Sequence, residues 1–419
     1  MLTLLLKRIW NERKSNAWLW IELFIVFIIL WFIVDFGYTS FRIYTKPNGY
    51  NIDNTYLIRV NVLSPQSEFY IPADEKHTTT GEDLLSLVER LRRHPDIEAV
   101  SLSEGSHPYN WNNYGGRLKY DTINMSVFRR TVTPDFFNVF LYENIDRSGS
   151  RSLADALSGN SIVVGADIMP DGTLYGNELK GLTFYYPDDT TTHLRIGAVT
   201  KPVKYYDFDP GAWSQFYSNE LKETDIAAKD GTDITFLELC IRAREGTSPD
   251  FARKLLEDSP RLYITGNCYI MSVQPFSQIR ESFLSYNLKE FESYGYIAFF
   301  LIVNIFLGII AAFWFRTQQR CEEMGLRVAL GSTPTGLRKM LIYEGVLLLL
   351  IILIPALLVC YTIGYSQLTV VSEAEWEASR FLVAACITFF LIIIMIILGI
   401  LYPARQAMKV KPAEALRDE

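Results

Sequence analysis

Four runs of this 419-residue chain are long and apolar enough to cross a lipid bilayer, and they constrain its fold more than any other feature. A hydrocarbon core about 30 Å thick, crossed by a helix rising about 1.5 Å per residue, needs roughly 20 mostly apolar residues. Runs of that kind lie at residues 17–34, 296–315, 340–365 and 381–401. Between the first two, charged residues, turn residues and short apolar stretches alternate as in a globular domain. The mean hydropathy of +0.11 therefore averages a membrane part and a water-facing part. The fold class expected is an α-helical membrane protein with four transmembrane helices and a mixed α/β extracytoplasmic domain inserted between helices 1 and 2.

Lys and Arg in short flanking segments are retained on the cytoplasmic side, so the flanks orient the spans. Lys7, Arg8, Arg13 and Lys14 precede the first span. Arg316, Arg320, Arg327, Arg338 and Lys339 lie between the second and third, and Arg405, Lys409, Lys411 and Arg417 follow the fourth. Residues 366–379 carry Glu373, Glu375 and Glu377 with no Lys or Arg. Both termini are then cytoplasmic and the large middle region is external. The resulting divisions are a cytoplasmic amphipathic helix (1–16), spans at 17–36, 294–316, 340–365 and 380–402, and the external domain at 37–293. A cytoplasmic loop (317–339), an external loop (366–379) and a cytoplasmic tail (403–419) complete them. Leu2, Leu5, Leu6 and Ile9 recur at helical spacing beside Lys7 and Arg8, the pattern of a helix lying in the membrane interface. A cleavable leader is the competing reading of the first run, but the run exceeds the roughly 7 to 15 apolar residues of such a segment.

In the middle region, residues 55–62 read as a strand, 81–94 as a helix with Leu84, Leu87, Val88 and Leu91 on one face, and 97–102 as a second strand. Further strands are expected at 161–164, 182–186, 194–200, 234–242 and 269–273, with Asp188 and Asp189 forming a hairpin turn. Thr247, Ser248, Pro249 and Asp250 read as the start of a helix reaching about residue 258. Pro275 opens another, which has no breaker before the second span.

Catalytic and metal patterns are not found. His77, His94, His107 and His193 are scattered, and Asp167, Asp171 and Glu178 sit among glycines as in a turn-rich loop. No C-x-x-C spacing occurs, and a Cys240–Cys268 disulfide stays open. The net charge of -7, without a Lys/Arg stripe, argues against a nucleic-acid partner. Within the spans, Glu22 and Glu344 lie near the cytoplasmic edge, and Asn304, in mid-span, is expected to bond across a helix interface.

The loop after the second span runs Arg316, Thr317, Gln318, Gln319, Arg320, Cys321, Glu322, Glu323, Met324, Gly325, Leu326, Arg327, Val328, Ala329, Leu330 and Gly331. Residues 318–330 suit a short amphipathic helix ended by Gly331 and Pro334, a charged ridge fit for docking onto another protein. Anchoring to anionic headgroups would account for the arginines but not for Glu322, Glu323 and Gly325. With Glu323, Gly325, Arg327, Ala329 and Gly331 in order between two spans, this loop resembles that of the MacB/FtsX-type permease family of ABC transporters. The tail is similar to the ending of the same family through Pro403, Ala404, Arg405, Pro412, Glu414 and Leu416. Val132-Thr-Pro-Asp-Phe-Phe and Ile162-Val-Val-Gly are similar to stretches of its external domain.

The resemblance implies a non-catalytic membrane subunit in the bacterial inner membrane, working as a pair of permease copies or paralogues with a separate ABC ATPase. ATP and Mg would sit on that ATPase, and this chain would bind no cofactor. This agrees with the lack of a G-x-x-x-x-G-K-[ST] phosphate loop in the sequence. Motion driven through Arg316, Arg320, Glu322, Glu323, Met324, Gly325, Arg327, Ala329 and Gly331 would reach the external domain. That domain would extrude cargo from the periplasmic side, with a periplasmic adaptor or outer-membrane channel as a further partner. An FtsX-like regulatory subunit controlling a cell-envelope enzyme is the alternative.

Overall fold

The computed structural model of the chain describes residues 11, 13–72, 74–211, 215–319, 326–327, 331–369 and 376–407. They form two compact units. One combines Met1–Ile43 with Lys289–Glu419, and the other is Tyr44–Leu288. The interfacial helix expected at residues 1–16 falls mostly outside the described residues.

Helix α1 (Arg13–Thr45) runs well past the apolar stretch that announces it. Asp35 and Arg42, which look like an end to the span, are both paired, so the helix continues through them.

The α/β unit begins with β1 (Thr55–Val62), α2 (Thr80–Arg92) and β2 (Ile97–Glu104), the strand–helix–strand unit expected. α2 starts on a capping box: the Thr79 side chain accepts from the Glu82 amide, and the Glu82 carboxylate accepts from the Thr79 amide. Leu84, Leu87, Val88 and Leu91 are all buried. At Gly81 an added Cβ would meet the Ile226 carbonyl oxygen at 1.9 Å, so only glycine lets the helix start approach that backbone.

Then come β3 (Tyr114–Tyr120), β4 (Ile123–Val132), α3 (Phe136–Val139), α4 (Ser150–Ala156), β5 (Ser161–Gly165) and β6 (Thr183–Tyr186). β7 (Asp189–Thr200), β8 (Phe216–Glu220), α5 (Glu223–Ala227), β9 (Leu237–Ala243), α6 (Phe251–Leu262) and β10 (Cys268–Pro275) complete the unit. The strands lie in the order β10-β1-β9-β2-β4-β3-β6-β7-β5-β8, with β8 also paired to β4.

Two architectures follow from that order. In the first four strands each neighbour is antiparallel, so β1-α2-β2 and β9-α6-β10 are interleaved split βαβ units, the ferredoxin-like arrangement. Their helices bury one sheet face through Leu87, Leu91, Phe251 and Leu255 against Ile58 and Ile241. The opposite face meets an aromatic layer of Phe136, Phe137, Phe140, Tyr142 and Phe276. The residues between β2 and β9 add the ring β4-β3-β6-β7-β5-β8, which the parallel β8–β4 pairing closes into a barrel. Leu118, Met125, Val127, Phe184, Leu194 and Ile196 belong to its core.

Several expectations are corrected. Residues 234–236 form a 3-10 turn and the strand starts at Leu237. α6 begins after Pro249, because the Thr247 hydroxyl donates to the Arg244 carbonyl (2.7 Å) and Asp250 is the N-cap residue. Cys240 and Cys268 are buried free thiols. Cys240 pairs with Leu57 and Cys268 with Val62, positions about 17 Å apart along β1 at the usual rise per residue. A disulfide needs Cα atoms within about 7 Å.

α7 (Phe276–Gln319) starts after Pro275 and is one helix throughout; α8 (Pro334–Tyr365) and α9 (Ala378–Ala407) follow. Among the described residues, Ala17–Thr45, Leu288–Gln319, Thr335–Tyr365 and Ala378–Leu401 are long and apolar enough to cross a membrane. They share a core that includes Phe27, Trp31, Phe313, Leu348 and Ile396. A Cβ on Gly345 would meet the Ile396 side chain at 2.7 Å, so a small residue sets the approach of α8 to α9. Pro334 opens α8: Thr333 caps that helix, and a proline at its first position forfeits no hydrogen bond, while the loop helix expected at 318–330 falls mostly outside the described residues. Asn304 donates to the Phe300 carbonyl on its own helix (2.7 Å) rather than across an interface.

Leu87 is fully buried between α2 and the sheet. Leu87→Ala is expected to lower unfolding stability by about 2–5 kcal/mol, the usual cost of such a cavity. Thermal or denaturant unfolding of the detergent-purified chain measures this, and a loss under about 1 kcal/mol would contradict the packing described.

Candidate functional site

The loop that resembles an ATPase-docking ridge is only partly within the described residues. Arg316 lies in the last turn of α7. Arg320, Glu322, Glu323, Met324, Gly325 and Ala329 lie outside the described residues, as do Pro412, Glu414 and Leu416 of the tail. Arg327 is half-buried, its guanidinium against the Met340 sulfur, and its carbonyl accepts from the Ser332 amide (2.9 Å). Gly331 has φ +93°, a left-handed conformation that favours glycine, and open space around it. The chain thus leaves the loop through a turn at Gly331 and enters α8 on the Thr333 cap. Pro403, Ala404 and Arg405 form part of α9, which continues to Ala407 where a tail was expected to begin.

At the other end of these spans lies a feature that sequence reading missed. Near the C-terminus of α1 and the N-terminus of α9, Arg380 Nε donates to Asp35 Oδ1 (2.8 Å) and Nη2 to Asp35 Oδ2 (2.5 Å). Both side chains are almost wholly buried, 5% and 1% exposed. Arg380 also donates to Thr369 Oγ1 (3.2 Å), so the loop after α8 is tied in. Arg42 forms a second two-pronged pair with Glu377, at 2.7 and 2.8 Å, in a more exposed setting. A fork of parallel N–H···O bonds fixes orientation as well as distance, so α1 and α9 are held in register. The signal available in sequence was an aspartate and an arginine, each one residue beyond the apolar stretch expected to span.

Within the α/β unit, a polar node surrounds the first turns of α7. Arg280 Nε donates to Asp207 Oδ2 (3.1 Å), Arg280 Nη2 donates to Oδ1, and Tyr109 Oη donates to Oδ2 (2.9 Å). Lys204 Nζ donates to the Asp207 carbonyl (3.1 Å). Burial acts to raise the Asp207 pKa, but the bonds from Arg280 and Tyr109 outweigh it and hold the carboxyl below its ordinary range. Tyr205, Tyr206 and Tyr109 pack on Phe283 one turn further along α7. The segment from Lys204 to Asp209 therefore grips the beginning of the helix that becomes the second span. His107 is buried with its Nδ1 on the Pro108 carbonyl (2.7 Å), a satisfied loop histidine. No group of three or more metal-ligating side chains is found among the described residues.

The C-terminal part of the chain is similar to a known family. Residues 295–412 match the family model "FtsX-like permease C-terminal", a region that takes in the last three spans, the loop and the tail as far as Pro412. These residues are thus similar to an FtsX-like permease region. No curated protein sequence matches the chain. Among solved structures it is similar to a domain of a candidate permease from Porphyromonas gingivalis (14% identity, 54% of this chain and 90% of that one, TM-score 0.35). It is also similar to the extracellular domain of the ABC-type transporter YknZ from Gram-positive bacteria (10% identity, 52% of this chain and 100% of that one, TM-score 0.30).

Removing one member of a buried ion pair strands the other charge, at about 3–5 kcal/mol, whereas removing both costs less. Asp35→Asn and Arg380→Gln are each expected to lower the unfolding temperature of the detergent-purified chain, with the double variant closer to wild type than either single one. Additive losses in the double variant would show that the two residues act independently.

Proposed function

We propose that this chain is the membrane subunit of an ABC transporter that works without catalysing a reaction itself and is driven by a separate ATPase. The observation that carries the proposal is the FtsX-like permease match over residues 295–412, a stretch that includes Glu323 to Gly331. In this reading the chain lies in a bacterial inner membrane with both termini cytoplasmic and the α/β unit outside. Two copies, or one copy and a paralogue, pair with two ATPase subunits that bind ATP and Mg.

The loop is the docking element. The turn at Gly331 and the cap at Thr333 join it directly to α8, and Arg316 joins it to α7. A displacement imposed on the loop would thus pass into two spans at once. α7 supports a route outward, since the helix that ends at the loop begins at Phe276 in the grip of the Asp207 node. Extrusion of cargo collected outside the inner membrane is the work proposed for that motion, with an adaptor or outer-membrane channel receiving it. Within the spans Asp35 and Arg380 neutralise each other and Asn304 bonds to its own helix, which supports a transmitting role, while Glu22 and the buried Glu344 are two further carboxylates there.

Co-purification from nanodiscs with ABC ATPases of the same genome tests the assignment. Wild type is expected to retain an ATP-hydrolysing partner, and Glu323→Arg or Gly331→Trp to lose at least ten-fold of it while remaining folded. If no ATPase is retained by wild type, or if both variants retain it fully, the coupled-permease reading fails.

A further inference from the structure

The α/β unit carries a two-lobed cleft whose chemistry the transport reading does not use. Its lobes, about 500 and about 490 Å³, share Leu57, Arg59, His107, Asn110 and Asn112. The floor is the sheet face of β1 and β9 that presents Leu57, Arg59 and Glu238. The roof is the β2–β3 connection, which carries Trp111 and Asn112.

That roof is built to hold its shape. The Glu238 carboxylate accepts from Ser103 Oγ (2.7 Å), the Ser106 amide (2.9 Å), the His107 amide (3.1 Å) and Asn110 Nδ2. At the apex, Tyr109 takes the left-handed conformation (φ 61°), disfavoured for a residue of its size, and is fixed there by its bond to Asp207. Gly105 is also left-handed, and a Cβ there would meet the Asn112 carbonyl oxygen at 2.7 Å. A strained loop pinned at both sides presents Trp111 outward, 72% exposed, with its ring stacked on Phe283 at 4.4 Å.

Glu238 accepts four hydrogen bonds from β2 and the loop, whereas Arg59, at the junction of the lobes, is exposed and its guanidinium has no hydrogen-bond or ion-pair partner among the described residues. In one lobe the side-chain amides of Asn112, Gln274 and Gln278 are likewise unpartnered, beside Trp111. In the other, Phe236 and Met271 stand 76% and 49% exposed. A cation between an amide-lined lobe and an apolar one matches a ligand with a carboxylate, amide groups and an apolar side chain. We propose that this cleft binds a short acidic peptide segment. Its carboxylate meets Arg59, its backbone lies along Asn112, Gln274 and Gln278, and an apolar side chain lies over Phe236 and Met271. The site goes beyond the transport reading and needs neither nucleotide nor ATPase.

The full-length chain in nanodiscs, without nucleotide, is incubated with a pool of N-acetylated, C-amidated tetrapeptides carrying one glutamate among random neighbours, and with the matched glutamine pool. Retained peptides are counted by mass spectrometry after ultrafiltration. The glutamate pool is expected to be retained at least ten-fold over the glutamine pool, enriched in peptides with an apolar neighbour. Arg59→Gln abolishes that preference, and Phe236→Ser removes the apolar enrichment while leaving the preference for glutamate. Equal unfolding temperatures confirm that both variants are folded. Equal retention of the two pools by wild type, retention of neither, or a preference that survives Arg59→Gln overturns the proposal. Failure of ATPase co-purification would leave this result untouched, and the converse also holds.

Discussion

Hydrocarbon offers no hydrogen-bond partner to a peptide group and no solvation to a charge, and most of this molecule's organisation follows from that. It forces the apolar runs at the two ends of the chain into helices long enough to cross and leaves the polar middle to fold as its own unit. It also decides which charges are tolerated near the spans. Asp35 and Arg380 are retained together because each satisfies the other through two parallel bonds, and either alone would be an unpaired buried charge. The pair in turn lets α1 remain helical beyond its apolar stretch and fixes its place beside α9.

The α/β unit meets a different constraint, that of seating its sheet on packed side chains on both faces. The helices of two interleaved split βαβ units cover one face of four strands, an aromatic layer that includes Phe136 and Phe140 packs on part of the other, and the barrel avoids exposed strand edges by closing on itself. The helix that leaves this unit for the membrane begins at the Asp207 node, where a carboxylate, a guanidinium and a phenol converge on one turn. α7 continues from that turn to Gln319 as one helix, and its later residues fall in the stretch similar to an FtsX-like permease.

Much of this was legible in the sequence, for reasons that can be named. Runs of about 20 apolar residues announce spans because lipid demands that length. The face formed by Leu84, Leu87, Val88 and Leu91 announces α2 because its spacing matches the helical period, and β1 is bounded as its residues suggest. β3, β4 and β8 were missed: β3 carries Gly115 and Gly116, β4 includes two consecutive arginines, and although β3 and β4 form a local hairpin, β8 joins β4 from far along the sequence. The barrel and the order of the plait are tertiary facts that no local pattern encodes. Arg380 was passed over for a related reason: its partner lies 345 residues away, so an isolated charge at the edge of a span reads as an ordinary flank. The loop motif, by contrast, was readable as a string of residues whose geometry lies largely outside the described residues.

Coupling between the loop and the α/β unit is what the proposed function requires of this molecule. Hydrogen–deuterium exchange on the nanodisc complex with its ATPase, with and without ATP, tests it most directly. Altered protection at residues 201–211 and 276–288 is expected when ATP is bound, and its loss in Gly331→Trp. Exchange in both segments that is unchanged by ATP, in a complex that hydrolyses it, would contradict the claim that this chain transmits the work of an ATPase.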